Sequence, residues 1–212
     1  TVRLTTQKHS FPILTMDKKF RKIIKPTNDW LVELDYNAAE VRVMLGLLGK
    51  EQPYIDLHDY NAYELFGGQV TRDEAKKKLF SWLYNPNAED EVLSKLYDRA
   101  AVKEMFWDGN MVKTMFHREI PSDEYHALNY IIQSTCSDLI MDRAISINEI
   151  LEGKKTKIAF IIHDSIVLDY ADEDGDFINM VYWEFMTTPF GRFKTNASGG
   201  RNFGEMKDLW IY

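Results

Sequence analysis

The strongest constraint on the fold is an apolar stretch that changes into a helical pattern directly after an acidic residue. Residues 31–34 predict a buried strand, and residues 38–48 carry apolar side chains at helical spacing up to Gly49. Asp35 therefore lies at the carboxyl end of a strand, where open sheets often bind ligands. A surface aspartate that caps a helix is the alternative interpretation.

A second acidic residue has a similar setting. Residues 157–162 predict an apolar strand, His163 and Asp164 follow it, and an apolar strand resumes at residue 166. This pattern indicates a hairpin with Asp164 near its turn. Two carboxylates at strand ends could share two divalent cations about 4 Å apart, as phosphoryl transfer requires. Many folds place two acidic residues in this way without a metal, and a two-carboxylate nuclease would also fit the pair.

A stripe of cations and rings is predicted on a third element. Residues 71–84 predict a helix in which Thr71 and Glu74 form a capping box, with Pro86 just beyond its end. Residues at steps of four drift by only about 40° around a helix, so they form one slanted line. Two cations followed by two rings suit a nucleoside triphosphate, and a solvated basic turn followed by core aromatics is the alternative. The four residues are Arg72, Lys76, Phe80 and Tyr84.

Composition limits the class of protein. The chain has 212 residues, 45% of them hydrophobic, which suffices for one large or two small domains. Its single cysteine, Cys136, excludes an internal disulfide framework and suits a reducing cytoplasm, and no run is long and apolar enough to span a membrane. The net charge of -7 argues against a simple basic nucleic-acid-binding module, although residues 1–30 hold seven basic and two acidic residues. A basic entry segment on an acidic body fits a metal-dependent enzyme that acts on a polyanion, or a solvated basic loop.

The remaining segments give weaker predictions. Residues 7–27 are expected to be irregular with short strands, residues 56–66 helical with His58 near the start, and residues 86–108 an acidic helical segment. A long helix is expected to open at residues 121–123 and run to about residue 151. Asn129 and Gln133 share one of its faces, where they could bind bases or satisfy core groups. Residues 172–176 and 198–204 are expected to form a solvated acidic turn and a flexible turn.

Taken together, these segments resemble the family A DNA polymerases of the bacterial polymerase I type, including phage replicative enzymes. The blocks occur in the family's order and cover most of the chain. Residues 1–6 resemble TGRLSS, residues 35–42 motif A (DYSQIELR), Arg72 to Tyr84 motif B (RxxxKxxxFxxxYG), and residues 163–165 motif C (HDE). Shorter matches are residues 56–58 (D-x-H), 114–118 (TLFGR) and 129–134 (NxPxQG).

The resemblance implies a role for each matching residue. Asp35 and Asp164 would bind two Mg²⁺ ions with help from the backbone carbonyl of Tyr36. Arg72, Lys76 and His58 would contact the triphosphate, with Lys76 as general acid for the leaving pyrophosphate. Phe80 would stack on the incoming nucleotide and influence acceptance of dideoxynucleotides, and Glu40, hydrogen-bonded to Tyr84, would exclude a ribose hydroxyl. The residues implied to contact DNA are Arg3, Asn129 and Gln133 near the new base pair and His163 at the primer end.

The resemblance also implies the architecture and partners. The expected fold is α+β, an antiparallel palm sheet flanked by helices (residues 1–49 and 109–212) with a helical fingers insertion (residues 50–108). The expected partners are primer-template DNA, dNTPs and a separate polypeptide carrying the thumb and exonuclease, since those parts would precede residue 1. The expected location is the cytoplasm of a bacterium or phage-infected cell, with no membrane contact, and the expected context is phage or plasmid replication.

The chain departs from the family's motifs at four positions. Ser165 stands where motif C usually has glutamate, which neighbours the metal without being a main ligand, and this departure affects the expected metal affinity. Three glycines of the motifs are replaced, by Ser81, Asn85 and His117. Two other functions stay open: a single-subunit RNA polymerase, against which Glu40 argues, and a non-catalytic polymerase-like subunit that binds primer-template or a replisome partner.

Overall fold

The protein is built around a five-stranded antiparallel sheet. The computed structural model describes residues 5–211, so the predicted DNA contact Arg3 lies outside the described residues. The strand order in the sheet is β4-β5-β1-β8-β9. These strands are β1 (Trp30–Tyr36), β4 (Lys157–Ile162), β5 (Ser165–Tyr170), β8 (Thr195–Gly200) and β9 (Lys207–Asp208). Two small hairpins lie outside this sheet. One pairs β2 (Met111–Lys113) with β3 (Glu119–Pro121), and the other pairs β6 (Thr187–Thr188) with β7 (Gly191–Arg192).

Helices pack on one face of the sheet and also form most of the segment between β1 and β2. The α-helices are α1 (Ala39–Leu47), α2 (Leu57–Tyr60), α3 (Arg72–Tyr84), α4 (Glu91–Leu96), α5 (Arg99–Phe106), α6 (Glu124–Ile150) and α7 (Phe177–Met186). A π-helical turn (Asn61–Leu65) continues α2, and 3-10 turns cover Lys18–Ile23 and Asp172–Asp174. The 27-residue α6 packs against α1, α5 and α7 and so ties the sheet to the helical segment.

The alternation of β1 decides which side chains reach the site. Val32, Leu34 and Tyr36 belong to the main core beneath the helices. Leu31 belongs to a second cluster on the opposite face, with Ile162, Val167 and Phe203. Because successive strand residues point to opposite faces, Glu33 and Asp35 share the face of Leu31.

Several predictions about local structure are confirmed. The first strand and helix, the β4–β5 hairpin around Asp164, and the long helix ending at residue 150 form as expected. The capping box at the start of α3 is complete, since Thr71 and Glu74 exchange hydrogen bonds. The predicted α+β class is confirmed, whereas the boundaries of the palm and fingers segments stay a prediction.

The prediction of a flexible turn over residues 198–204 is wrong for residues 198–200, whereas residues 201–204 do form a turn. Residues 198–200 belong to β8, which pairs with β1 along its whole length. The two glycines are needed there for close approach, because a Cβ at Gly199 would lie 2.7 Å from Leu209 Cδ1 and one at Gly200 would lie 2.7 Å from the Glu205 carbonyl oxygen. A Gly-Gly pair therefore marks a crowded strand here and not a mobile loop.

Smaller corrections concern three other segments. Residues 7–27 contain a 3-10 turn but no strand. Pro121 ends β3, and α6 begins three residues later with Asp123 as its N-cap. The acidic turn at 172–176 is anchored and not merely solvated, because Asp172 accepts a hydrogen bond from Trp30 Nε1 and Asp174 accepts one from the backbone of Thr156. Among residues 5–211, no helix is long and apolar enough to cross a membrane.

Candidate active site

Antiparallel pairing of β1 with β5 brings the two predicted metal carboxylates to one end of the sheet. Asp35 near the end of β1 pairs with Ser165 at the start of β5, and Asp164 directly precedes that serine. The backbone N–H of Tyr36 donates to the Asp164 carbonyl oxygen at 3.4 Å, which extends the pairing to the turn. Tyr36 is fixed from beneath, since its hydroxyl donates to the Phe185 carbonyl and its ring stacks on the Phe185 ring.

Asp35 is in an environment that disfavours its charge. Burial and then the negative charges of Asp164 and Glu33 raise its pKa from 3.8 to about 7, while a hydrogen bond from Asn196 acts in the opposite direction. Asn196 is the residue that pairs with Asp35 on β8. The negative charges of Asp164 and Glu33 therefore oppose ionisation of Asp35, and pKa values perturbed in this way are common at functional sites.

The residues on α3 form the opposite wall of the site. Arg72 and Lys76 are exposed, and Phe80 and Tyr84 are half-buried with stacked rings whose centroids lie 5.9 Å apart. His58 is adjacent to this line, with its ring centroid 5.9 Å from that of Phe80. The predicted cation and ring stripe is therefore present, with its cations outward and its rings against the core.

Arg72 forms an ion pair with Asp56 beside the cleft. Its Nη2 and Nε donate to the two carboxylate oxygens of Asp56 at 2.8 and 3.2 Å. Although burial acts to raise it, the pKa of Asp56 is held well below its ordinary range by hydrogen bonds from Arg72, the Asp59 backbone and Asn37. Asp56 thus stays charged and keeps the guanidinium beside the cleft.

His58 is neutral at neutral pH. Burial lowers its pKa to about 4, the charge of Asp56 acts in the opposite direction, and the positive charges of Lys76 and Arg72 lower it further. Its Nδ1 is buried and has no hydrogen-bond partner among the described residues. A neutral imidazole with an unused nitrogen beside two cations is suited to contact an anion, and an anion there would raise its pKa.

One cleft of about 580 Å³ lies between the sheet end and α3. Ten of the predicted site residues line it: Asp35, Tyr36, Glu40, His58, Arg72, Lys76, Phe80, Gln133, His163 and Asp164. Tyr84 and Asn129 instead line a neighbouring cavity of about 340 Å³ between α3, α5 and α6. The predicted hydrogen bond between Glu40 and Tyr84 is not formed, because the Tyr84 hydroxyl is buried without a partner in the described part of the chain.

Two known proteins resemble this chain over much of its length. It is 27% identical to the DNA polymerase of Mycobacterium phage D29 in an alignment of 200 residues, which covers 71% of this chain and 32% of that protein. Its fold matches the POL domain of Pol1 from M. smegmatis, in complex with DNA primer-template and dNTP, with a TM-score of 0.68 and 17% identity over 88% of this chain and 42% of that one. The predicted resemblance to a region of a family A DNA polymerase is confirmed. No protein-family model matches the sequence.

Both matches cover only part of the known protein's length. The chain spans about a third of the phage polymerase and less than half of the M. smegmatis chain. Neither comparison supports the prediction of a separate polypeptide that carries a thumb and an exonuclease. The resemblance therefore covers most of this chain but less than half of each relative.

The three replaced glycines differ in their consequences. Asn85 ends α3 with a φ of -102°, and Ser81 is an exposed residue inside that helix, so neither position needs a glycine. His117 has a φ of +60° in the turn between β2 and β3, a conformation that glycine adopts without strain and histidine does not. The departure at His117 is therefore the only one of the three with a conformational cost.

Sequence reasoning missed four polar residues of the site. Asn37, Ser137 and Asn196 line the cleft, and Glu33 acts electrostatically on Asp35. Glu33 could have been found, because it precedes Asp35 by two residues in a predicted strand and so shares its face. Asn196 could not, because nothing in its own segment indicates that β8 pairs with β1.

The residues present fit a divalent cation with open coordination positions. Among residues 5–211, no group of three or more His, Cys, Asp or Glu side chains could hold a metal by itself. Mg²⁺ is commonly held by one or two carboxylates together with waters and substrate phosphates, which is what Asp35 and Asp164 offer. A cation there would also offset the repulsion that raises the pKa of Asp35.

Proposed function

We propose that this chain contains the palm and fingers of a template-directed DNA polymerase, which adds deoxynucleoside monophosphates to a primer 3′-hydroxyl. The observation that carries the proposal is that one cleft combines two strand-end carboxylates with two cations and an aromatic ring on a facing helix. The printed descriptions of the two relatives add support, since one is a DNA polymerase and the other is a polymerase domain in complex with DNA primer-template and dNTP. A nuclease would need the carboxylates but not the stripe on α3.

In this proposal, Asp35, Asp164 and the backbone carbonyl of Tyr36 hold two Mg²⁺ ions. When bound, these ions lower the pKa of the primer hydroxyl and stabilise the charge of an in-line displacement. The pairing of Asp35 with Ser165 and Asn196 on the neighbouring strands fixes the position of its carboxylate. Three adjacent strands thus position the Asp35 carboxylate, and strands are more rigid than a loop.

The facing helix would bind the nucleotide. Lys76 and Arg72 would contact the triphosphate, and His58, whose ring lines the same cleft, would join them. Lys76 would donate a proton to the departing pyrophosphate. Phe80 would stack on the base and sugar and influence acceptance of dideoxynucleotides. Glu40, which lines the cleft after β1, would exclude a ribose 2′-hydroxyl.

The remaining assignments concern DNA. Gln133 and His163 line the same cleft and would contact the new base pair and the primer end. Asn129 and Tyr84 line the adjacent cavity and not the cleft with the carboxylates, so a contact of Asn129 with the new base pair and of Tyr84 with the nucleotide stays a prediction. Phosphate contacts dominate affinity for DNA and weaken with salt, so binding by this acidic chain is best measured at low ionic strength.

Single-nucleotide extension of a labelled primer-template tests the proposal. With Mg²⁺ at low salt, we expect the 212-residue chain to add the templated dNTP and Asp164→Ala to lose at least about a hundredfold in rate. The matched control is Asp176→Ala, at an exposed aspartate in the turn after β5 whose side chain makes no capping hydrogen bond. Extension by Asp164→Ala at the parent's rate would contradict the proposed chemistry.

The same assay separates the alternatives. An RNA polymerase would incorporate rNTPs in preference to dNTPs, contrary to the proposed role of Glu40. A non-catalytic subunit, which the replacement of a motif glutamate by Ser165 favours, would retard primer-template in a gel without extending it. Metal-dependent incorporation would exclude that second candidate.

A further inference from the structure

A third carboxylate is held at the edge of the proposed metal site. Glu33 precedes Asp35 by two residues in β1, and the two side chains lie on the same face of the sheet. On the neighbouring strand, Val167 pairs with Glu33 and Ser165 pairs with Asp35. Ser165 is therefore the diagonal neighbour of Glu33 on that face, at a separation that side chains can bridge.

The Ser165 side chain fixes this carboxylate. Its hydroxyl donates toward Glu33 Oε1 at 2.9 Å and lies 3.0 Å from the carbonyl oxygen of Ile162. Ser165 is 2% exposed, so the hydroxyl has little access to water. The carboxylate of Glu33 thus accepts a hydrogen bond from a buried donor and is not a freely moving surface group.

Glu33 is placed to act through its charge and not as a ligand. Among the described residues it forms no three-residue metal cluster with Asp35 and Asp164, and it does not line the main cleft. A negative charge just behind two ligands still attracts a divalent cation, because electrostatic interaction acts over several ångströms in a partly buried site. Removing that charge would weaken cation binding while leaving both ligands in place.

We propose that Glu33, held by Ser165, is a positioning residue of the metal site that supplies its third negative charge and strengthens divalent-cation binding by Asp35 and Asp164. This inference rests on the proposed function. It also assigns a role to the serine that stands in motif C: Ser165 orients a carboxylate that comes from the adjacent strand.

The first test separates charge from geometry in the free protein. Glu33→Gln keeps the shape and can still accept the hydrogen bond from the Ser165 hydroxyl. Ser165→Ala keeps the charge of Glu33 but removes the hydrogen bond that holds it. Mn²⁺ binding is measured from the paramagnetic resonance signal of the free ion, without DNA or nucleotide. We expect the dissociation constant to rise about tenfold in Glu33→Gln, equivalent to about 1.4 kcal/mol, and about threefold in Ser165→Ala.

The second test relocates the charge. Because the two side chains touch, Ser165→Glu combined with Glu33→Gln returns a carboxylate to nearly the same place, and we expect the Mn²⁺ dissociation constant to return to within about threefold of the parent. Glu149→Gln, at an exposed position on α6, is the matched control and should bind Mn²⁺ like the parent. Thermal unfolding followed by circular dichroism verifies that each variant is folded.

The outcomes distinguish this inference from the proposed function. A folded Glu33→Gln protein that binds Mn²⁺ within twofold of the parent would overturn the role of Glu33, whatever the activity. If Asp164→Ala also left Mn²⁺ binding and primer extension unchanged, the proposed function itself would fail. Where Mg²⁺-dependent extension is measured, the Mg²⁺ concentration for half-maximal rate should rise about tenfold in Glu33→Gln and stay unchanged in Glu149→Gln.

Discussion

Replacing Asp35 by asparagine should stabilise the metal-free protein at alkaline pH while it removes a proposed metal ligand. Burial and the charges of Asp164 and Glu33 raise the pKa of Asp35 from 3.8 to about 7. Because the folded-state pKa lies above the unfolded value, the folded chain binds more protons between these two pH values. The free energy of unfolding therefore falls as the pH rises through this window.

The size of the effect follows from the two pKa values. Relative to the unfolded chain, the raised pKa of Asp35 destabilises the folded state by about 2 kcal/mol at pH 5 and by about 4 kcal/mol at pH 8. Asparagine has no such ionisation. The gain in unfolding free energy for Asp35→Asn should therefore be about 2–3 kcal/mol larger at pH 8 than at pH 5. This difference does not depend on any change in packing or hydrogen bonding that is the same at both pH values.

Urea unfolding at 25 °C in the presence of EDTA measures this difference directly. The control is Asp208→Asn, a substitution of the same kind at an exposed position on β9, which should change stability equally at both pH values. Adding Mg²⁺ at pH 8 should stabilise the parent and not Asp35→Asn, because the cation binds only the folded parent. A gain for Asp35→Asn that differs by less than about 0.5 kcal/mol between pH 5 and pH 8 would refute the reasoning from buried, repelling carboxylates.

Three further substitutions test the surroundings of the site. Arg42→Met should lower the free energy of unfolding by about 3–5 kcal/mol, because three backbone carbonyls would lose the hydrogen bonds that this fully buried guanidinium donates to them. A loss below about 1 kcal/mol in urea unfolding would contradict this. Asp56→Asn should raise the KM for dNTP about tenfold with a smaller change in kcat, because Arg72 would lose its contact with the two carboxylate oxygens of Asp56. A change confined to kcat would argue against a role of Asp56 in placing Arg72 for nucleotide binding. His117→Gly should raise the free energy of unfolding by about 1 kcal/mol, because its φ of +60° suits glycine, and a loss of stability would show that the imidazole makes a compensating contact.

The elements that could be predicted are those whose signals are local. The capping box and the four-residue spacing of the cations and rings predicted α3. An apolar run followed by His163 and Asp164 predicted the β4–β5 hairpin. Such patterns depend on contacts within a few residues, so sequence alone reveals them. The other residues of the cleft were predicted from the order of the motifs along the chain. No local pattern relates Asp35 to Asp164, a carboxylate more than a hundred residues away.

The features that could not be predicted depend on pairing between distant strands. β8 contains Asn196 and two glycines, a composition typical of a loop, and it is a strand because β1 and β9 pair with it on either side. The contact between Glu33 and Ser165 likewise depends on the register of β1 against β5. A shift of that register by one residue would turn Ser165 to the other face of the sheet, which is why no reading of either segment alone could reveal the contact.

A continuous hydrogen-bond network connects the two walls of the cleft. Asn37 follows the carboxylate strand, accepts from Arg42 and from the backbone of Leu57, and donates to Asp56 at 2.7 Å. Asp56 in turn accepts from Arg72 at the start of α3. Arg42 is wholly buried, and its contacts to three backbone carbonyls fix the loop between α1 and α2 to the residue after β1. Since networks of this kind act as a unit, the spacing between the carboxylates and the cation stripe is set by Asn37 and Asp56 as much as by the sheet, and a substitution at either should disturb both walls together.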